Sequence, residues 1–197
     1  MNELEVQLRR IDADLRELEC SFALVGGLAV SARAEPRLTR DADLAVAVTD
    51  DRQAELLVRR LRQRGYAVIA AVEQEATGRL ATVRCSRGSP AGVITDLLFA
   101  SCGIEPEIVI DADRLEVVAG LVLPVASVGH LLAMKLLARD DRNRPLDADD
   151  LRALREVASN ADWDTASDAV VLIHERGYSR GRDLAESLRI LRTDGAY

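Results

Sequence analysis

Apolar side chains recur at Leu4, Leu8, Ile11, Leu15 and Leu18, the three-and-four spacing that gives a helix one apolar face. An amphipathic helix is therefore expected over residues 3–18. Phe22-Ala23-Leu24-Val25 is a short unbroken apolar run, expected as a buried strand, and it runs straight into Gly26-Gly27. A helical stretch should follow to about Ala34 and end at Pro36, which biases the residue before it away from helix. Residues 41–48 read as a second strand. Residues 51–64 read as an arginine-rich surface helix closed by Gly65, and 66–72, 80–85 and 93–99 as further strands. Residues 115–118 and 121–125 suggest a hairpin.

From Ser127 onward the pattern becomes helical. Helices are expected over 127–137, 148–158, 163–175 and 181–191, with Asp162 capping the third through its carboxylate. Neither an internal repeat nor a low-complexity linker interrupts the chain. The fold class expected is α+β: a mixed sheet with helices over residues 1–125, and a helical C-terminal region over 126–197 packed on it.

Composition narrows the function classes. Apolar residues make up 48% of the 197, enough for a sizeable core, but aromatics are only 3%. The core must be built from Leu, Val, Ile and Ala, and little is left for stacking nucleobases. Lys+Arg 26 against Asp+Glu 33 gives a net charge of −7, which argues against a general nucleic-acid-coating protein and leaves room for a local basic groove. Arg33, Arg37, Arg40, Arg59, Arg60, Arg62 and Arg64 are candidates for such a track, or for a solvated helix face. Lys135 is the one lysine among arginines. Cys20, Cys85 and Cys102 lie far apart without metal-ligand spacing, so buried thiols in a reducing cytosol are expected. The most apolar stretch, 115–138, is broken by Gly120, Pro124, His130 and Lys135 and makes a poor membrane span. A cytoplasmic protein is expected. His130 is expected as a packed or capping residue, and His174 as a helix-end cation.

The chemistry sits in Arg37-Leu38-Thr39-Arg40-Asp41-Ala42-Asp43. Alternation along a strand puts Asp41 and Asp43 on one face, about 7 Å apart. Two carboxylates so placed repel, and a divalent cation between them removes that cost. Oxygen ligands point to magnesium or manganese, and such a metal suits phosphoryl chemistry. Asp96 is a lone acid in the apolar run Val93-Ile94-Thr95-Asp96-Leu97-Leu98-Phe99. Placed beside 41–48, it would complete a two-metal site or serve as the base on an attacking hydroxyl; otherwise it caps a strand end. Gly26-Gly27 at a strand-to-helix junction lets phosphate approach backbone N–H groups. Each signal alone is weak, and the combination is specific.

This combination resembles the polymerase-β-like nucleotidyltransferases: a glycine pair, Gly26-Gly27, then Arg37-x-Thr39-x-Asp41-x-Asp43. Within them it is most similar to the toxin branch, of AbiEii/MenT type. Lys135-x-x-Ala138-x-x-x-Arg142 matches that branch's downstream pattern, and Asp147 and Asp150 follow on the next expected helix. The likeness spans roughly residues 22–151. Lys135 and Arg142 are two helical turns apart and share a face if the helix continues that far. Many members carry a serine where Gly27 stands, and Ser31 is the nearest hydroxyl. Asp150 is assigned as the family aspartate in preference to Asp147, because Leu151 and Leu154 place it at the edge of an apolar stripe.

The resemblance implies that Asp41, Asp43 and Asp96 hold Mg2+ or Mn2+. Gly26, Gly27, Ser31, Thr39, Lys135 and Arg142 would hold the triphosphate. Asp96 or Asp150 would help activate the acceptor hydroxyl, with Lys135 among the catalytic groups. It further implies transfer of a nucleoside monophosphate, from CTP or another pyrimidine triphosphate in preference to ATP, onto the 3′ acceptor end of tRNA. Translation would thereby stop, and a cognate antitoxin would neutralise the enzyme. The same motifs would serve an enzyme that nucleotidylates an aminoglycoside- or lincosamide-like antibiotic. A catalytically silent interaction module of this fold is the alternative from another class.

Overall fold

A computed structural model describes residues 3–37, 39, 41–88, 93–139 and 146–193. In chain order its elements are α1 (Glu3–Glu17), β1 (Phe22–Val25), α2 (Gly26–Arg33), β2 (Ala42–Val46), α3 (Asp51–Gln63), β3 (Tyr66–Glu73), β4 (Leu80–Arg87), β5 (Ile94–Leu98), α4 (Glu105–Ile110), β6 (Asp113–Val118), β7 (Leu121–Val125), α5 (Val128–Ala138), α6 (Leu146–Val157), α7 (Asn160–Glu175) and α8 (Leu184–Thr193).

All four residues of β1 are buried, as an apolar run covered on both faces requires. It lies within a seven-stranded mixed sheet of order β3-β4-β5-β2-β1-β7-β6. β1 runs antiparallel to β2, with Val25 opposite Asp43, and parallel to β7. β2 runs parallel to β5, reached through the crossover of α3, β3 and β4, and its register sets Asp43 opposite Asp96. β4 closes antiparallel on the other side of β5, with Arg84 opposite Asp96.

α5 is the most deeply buried helix, with Leu131, Leu132, Leu136 and Leu137 inside. Each such leucine contributes about 2 kcal/mol through removal of apolar surface from water. α5 packs against α2, α6, α7 and α8. One hydrophobic core extends from Leu8 on α1 through the sheet to Ile173 and Leu191, so the C-terminal helices and the sheet share it.

The architecture is the α+β arrangement expected, with several local differences. α4 was not predicted: six residues are too few to show a helical period, and its first residue, Glu105, anchors the loop before it. Its buried carboxylate accepts backbone N–H groups of Ser101, Cys102 and Gly103. Asp162 is not the cap of α7. Ser159 is the N-cap, and Asp162 three residues on returns a bond to its backbone, a capping box that starts the helix at Asn160. α8 starts at Leu184, where the carboxylate of Asp183 accepts the Glu186 backbone N–H at 2.9 Å. β2 starts at Ala42, so Asp41 stands just ahead of the strand. Among the described residues no helix is long and apolar enough to cross a membrane. All three cysteines are free; Cys85 and Cys102 are buried as expected, while Cys20 is half-buried.

Candidate active site

β1 delivers the chain to Gly26 at the edge of a cleft of about 190 Å³. Gly26 has φ of +65°, and a Cβ built there would lie 2.0 Å from Oδ2 of Asp43. Both facts demand glycine: the backbone is left-handed, and the space a side chain would take belongs to a carboxylate. A Cβ at Gly27 would meet Nη2 of Arg37 at 2.6 Å and Oγ1 of Thr39 at 3.2 Å. The glycine pair is therefore the surface on which the loop carrying Arg37, Thr39 and Asp41 is folded down.

Strand register builds a row of charge across the sheet. Arg84 on β4, Asp96 on β5 and Asp43 on β2 are cross-strand neighbours in sequence. Arg84 grips Asp96 with both arms, Nε to Oδ1 at 2.9 Å and Nη2 to Oδ2 at 2.7 Å. That bond, with the charges of Asp41 and Asp43 behind it, holds the Arg84 guanidinium well above its ordinary pKa. Asp43 and Asp96 line the cleft together. Asp96 thus lies beside the 41–48 strand, the first of the two placements considered for it, but its oxygens face an arginine that sequence reading overlooked. Among the described residues no three His, Cys, Asp or Glu side chains form a ready metal cage. The signal for Arg84 was a cation in the middle of one strand followed by a lone acid in the middle of the next.

A second charged cluster lies behind the glycine pair. Asp150, 1% exposed, accepts from Arg37 Nε at 2.5 Å and Nη2 at 2.8 Å, and from Lys135 Nζ at 2.6 Å. Lys135 also reaches Asp147 at 2.8 Å. Burial alone would raise the Asp150 carboxyl, but the two cations outweigh it and hold the pKa below the ordinary range. Asp147 and Asp150 therefore both reach Lys135, and Asp150 bridges it to Arg37. Lys135 sits on α5 between the clusters and lines the cleft.

The other expected residues fall into place unevenly. The Ser31 hydroxyl donates to the Gly27 carbonyl at 3.0 Å and accepts from the Arg37 backbone N–H at 3.2 Å, which binds it to the loop. Arg142 lies outside the described residues, as does Arg40. Of the arginines proposed as a basic track, Arg33 donates to Val125 and Ala126 carbonyls and Arg64 to Asp14 and Glu17. Arg37 is taken by Asp150, and Arg59, Arg60 and Arg62 are exposed on α3. His130 is buried, with Nδ1 3.0 Å from the Ser127 hydroxyl that caps α5.

The cleft has one more cation that the sequence did not single out. Arg180, in the turn between α7 and α8, has φ of 54° and donates to the Ser101 carbonyl at 3.3 Å. It lines the cleft together with Asp43, Asp96 and Lys135, and Leu131, Met134 and Leu137 add apolar surface.

Comparison with known proteins agrees with this fold. A nucleotidyltransferase-like antigen from Paracoccidioides brasiliensis superposes with a TM-score of 0.53 at 18% identity, covering 95% of this chain and 92% of that one. The antibiotic-resistance factor ANT(2'')-Ia superposes with a TM-score of 0.50 at 20% identity, covering 98% and 91%. These likenesses establish the fold. A search of curated sequences finds no match. Residues 8–194 match the family described as "Nucleotidyl transferase AbiEii toxin, Type IV TA system". The chain belongs to the AbiEii nucleotidyltransferase family.

Proposed function

We propose that this nucleotidyltransferase moves a nucleoside monophosphate from a triphosphate onto the 3′ acceptor end of tRNA, halting translation until a cognate antitoxin restrains it. The observation that carries the reading is the register of β2 and β5, which sets Asp43 beside Asp96 at the glycine pair, in one cleft with Lys135. The residues fit a divalent metal. The donors are all carboxylate oxygens, and the absent side chain at Gly26 leaves the Asp43 carboxylate its room. Asp43 and Asp41 would hold Mg2+ or Mn2+, with Asp96 as the third carboxylate. Such a metal neutralises triphosphate charge and favours displacement at the α-phosphorus.

The chain's own residues supply the rest. Gly26 and Gly27 open the start of α2 to phosphate oxygens, with Thr39 at their side. Lys135, and with it Arg142, presents positive charge to the triphosphate. Asp96, or Asp150, would help activate the attacking hydroxyl. Asp150 positions Lys135 and Arg37. The preference for CTP or another pyrimidine triphosphate, the tRNA acceptor and a cytoplasmic site of action rest on the family likeness.

A small-molecule acceptor is the second reading, favoured by the net charge of −7 and the scarcity of aromatic side chains. An acidic surface attracts a cationic antibiotic more readily than a polyanionic RNA. The test is incubation of purified protein with magnesium, each α-labelled triphosphate and total RNA, beside Asp43→Ala. A labelled band of tRNA size, lost in the variant, is expected. A parallel incubation with an aminoglycoside in place of RNA that labels the drug, while RNA stays unlabelled, would transfer the assignment to the second reading.

A further inference from the structure

Asp43 and Asp96 stand directly opposite on neighbouring parallel strands. Like charges in that relation destabilise a sheet, and burial sharpens the repulsion. Asp96 is 8% exposed, so water does little to relieve it. The relief comes from the other side of β5, where Arg84 is opposite Asp96 in the antiparallel register and donates to both its oxygens. The Arg84 side chain is 45% exposed, so it can leave this partner without unpacking the core.

We propose that Arg84 is a resident counter-ion that competes with divalent metal for Asp96 and makes metal binding depend on the nucleotide. The inference rests on the metal-site reading above. A guanidinium and a divalent cation relieve the same repulsion, and both draw on the same carboxylate oxygens. While Arg84 holds them, free metal meets a site whose third carboxylate is occupied and whose nearest neighbour is a cation. A triphosphate changes the balance, because its phosphate oxygens offer the Arg84 fork a new bidentate partner. Arg84 then yields Asp96 and pairs with the incoming anion, so metal and nucleotide enter together. No covalent bond is made or broken in this exchange.

Bipyramidal or octahedral geometry need not be known to test it; affinity suffices. Mn2+ binding to the full chain is measured by the loss of free-ion paramagnetic resonance signal, with and without α,β-methylene-CTP. Arg84→Gln is expected to bind Mn2+ alone about five- to tenfold more tightly than wild type, because competition and charge repulsion are both removed. Wild type should gain more Mn2+ affinity from the analogue than Arg84→Gln gains. Arg84→Lys keeps the charge and loses the fork, and should fall between them. Thermal unfolding gives an independent readout: Mn2+ should raise the midpoint of Arg84→Gln more than that of wild type. Equal Mn2+ affinities in wild type and Arg84→Gln, or weaker binding by the variant, would overturn the proposal and leave the metal site standing. Equal gains from the analogue would overturn the coupling. Absence of Mn2+ binding in every protein, with analogue present, would overturn this proposal and the metal-site reading together.

Discussion

Two charged clusters flank the glycine pair, and they are balanced differently. On the sheet, Asp43 and Asp96 lie side by side and Arg84 holds Asp96. Behind the glycines, Arg37 and Lys135 pair with Asp150, and Lys135 also with Asp147. The first cluster sets like charges beside each other at a cleft; the second closes opposite charges around the buried Asp150. A buried network of opposite charges holds elements together, here α5, α6 and the loop after α2. Like charges at a cleft are the arrangement that a ligand bringing positive charge relieves. The same residue types are thus arranged as opposite-charge pairs in one place and as like-charge neighbours in the other.

The contrast can be broken from the closed side first. Asp150→Ala leaves Arg37 and Lys135 near a void with one fewer anion, and should destabilise the protein by about 3 kcal/mol or more. Asp43→Asn removes a carboxylate from the crowded row and should leave stability unchanged or slightly raised while transfer is lost. Urea unfolding of both variants checks the pair. Equal stability of Asp150→Ala and wild type would show the second cluster to be no scaffold.

Gly26→Ala probes the seam between the clusters. The positive φ disfavours an L-residue by about 1–2 kcal/mol, and the new Cβ must push the Asp43 carboxylate aside. Transfer should fall about a hundredfold, as for any displacement of a reacting group by about an ångström. A kinetic assay alongside the unfolding curve separates the two effects. Full activity in this variant would mean that Asp43 does not act where it stands.

The smallest effect is expected at His130, outside both clusters. Burial holds its pKa below the ordinary 6.5, against the opposing pull of Asp111 and Glu107. The folded imidazole therefore stays neutral while the unfolded chain takes up protons as pH falls past 6.5, so stability is fully present above that pH and declines below it. His130→Gln should be about 1 kcal/mol less stable at about pH 8, having lost the ring's bond to Ser127, and should lack the decline. Urea midpoints at about pH 8 and about pH 5.5 test both statements.

Much of the fold was legible because its cues are local. The run 22–25 and the leucines of α1 announce burial by composition and period alone. The glycine pair and Asp-x-Asp could be read for the same reason: their spacing is a property of one strand and one turn. α4 escaped because it is short and because its first residue, Glu105, fixes the preceding loop through three backbone groups that no pattern of apolar residues reveals. Arg84 escaped because its meaning comes from the register of the next strand, and Arg180 because its neighbour lies far along the chain.

By itself the sequence determined the strand–glycine–helix unit, the α+β class, the acidic residues available to the site and the lysine opposite them. These depend on the period of side chains along one element. Only the tertiary structure decided that Asp43 faces Asp96, that Arg84 closes the row, that Asp150 holds both Arg37 and Lys135, and that Arg180 reaches the cleft. Strand register and helix docking are set by the whole core at once, since a slip of one residue would turn every side chain to the other face.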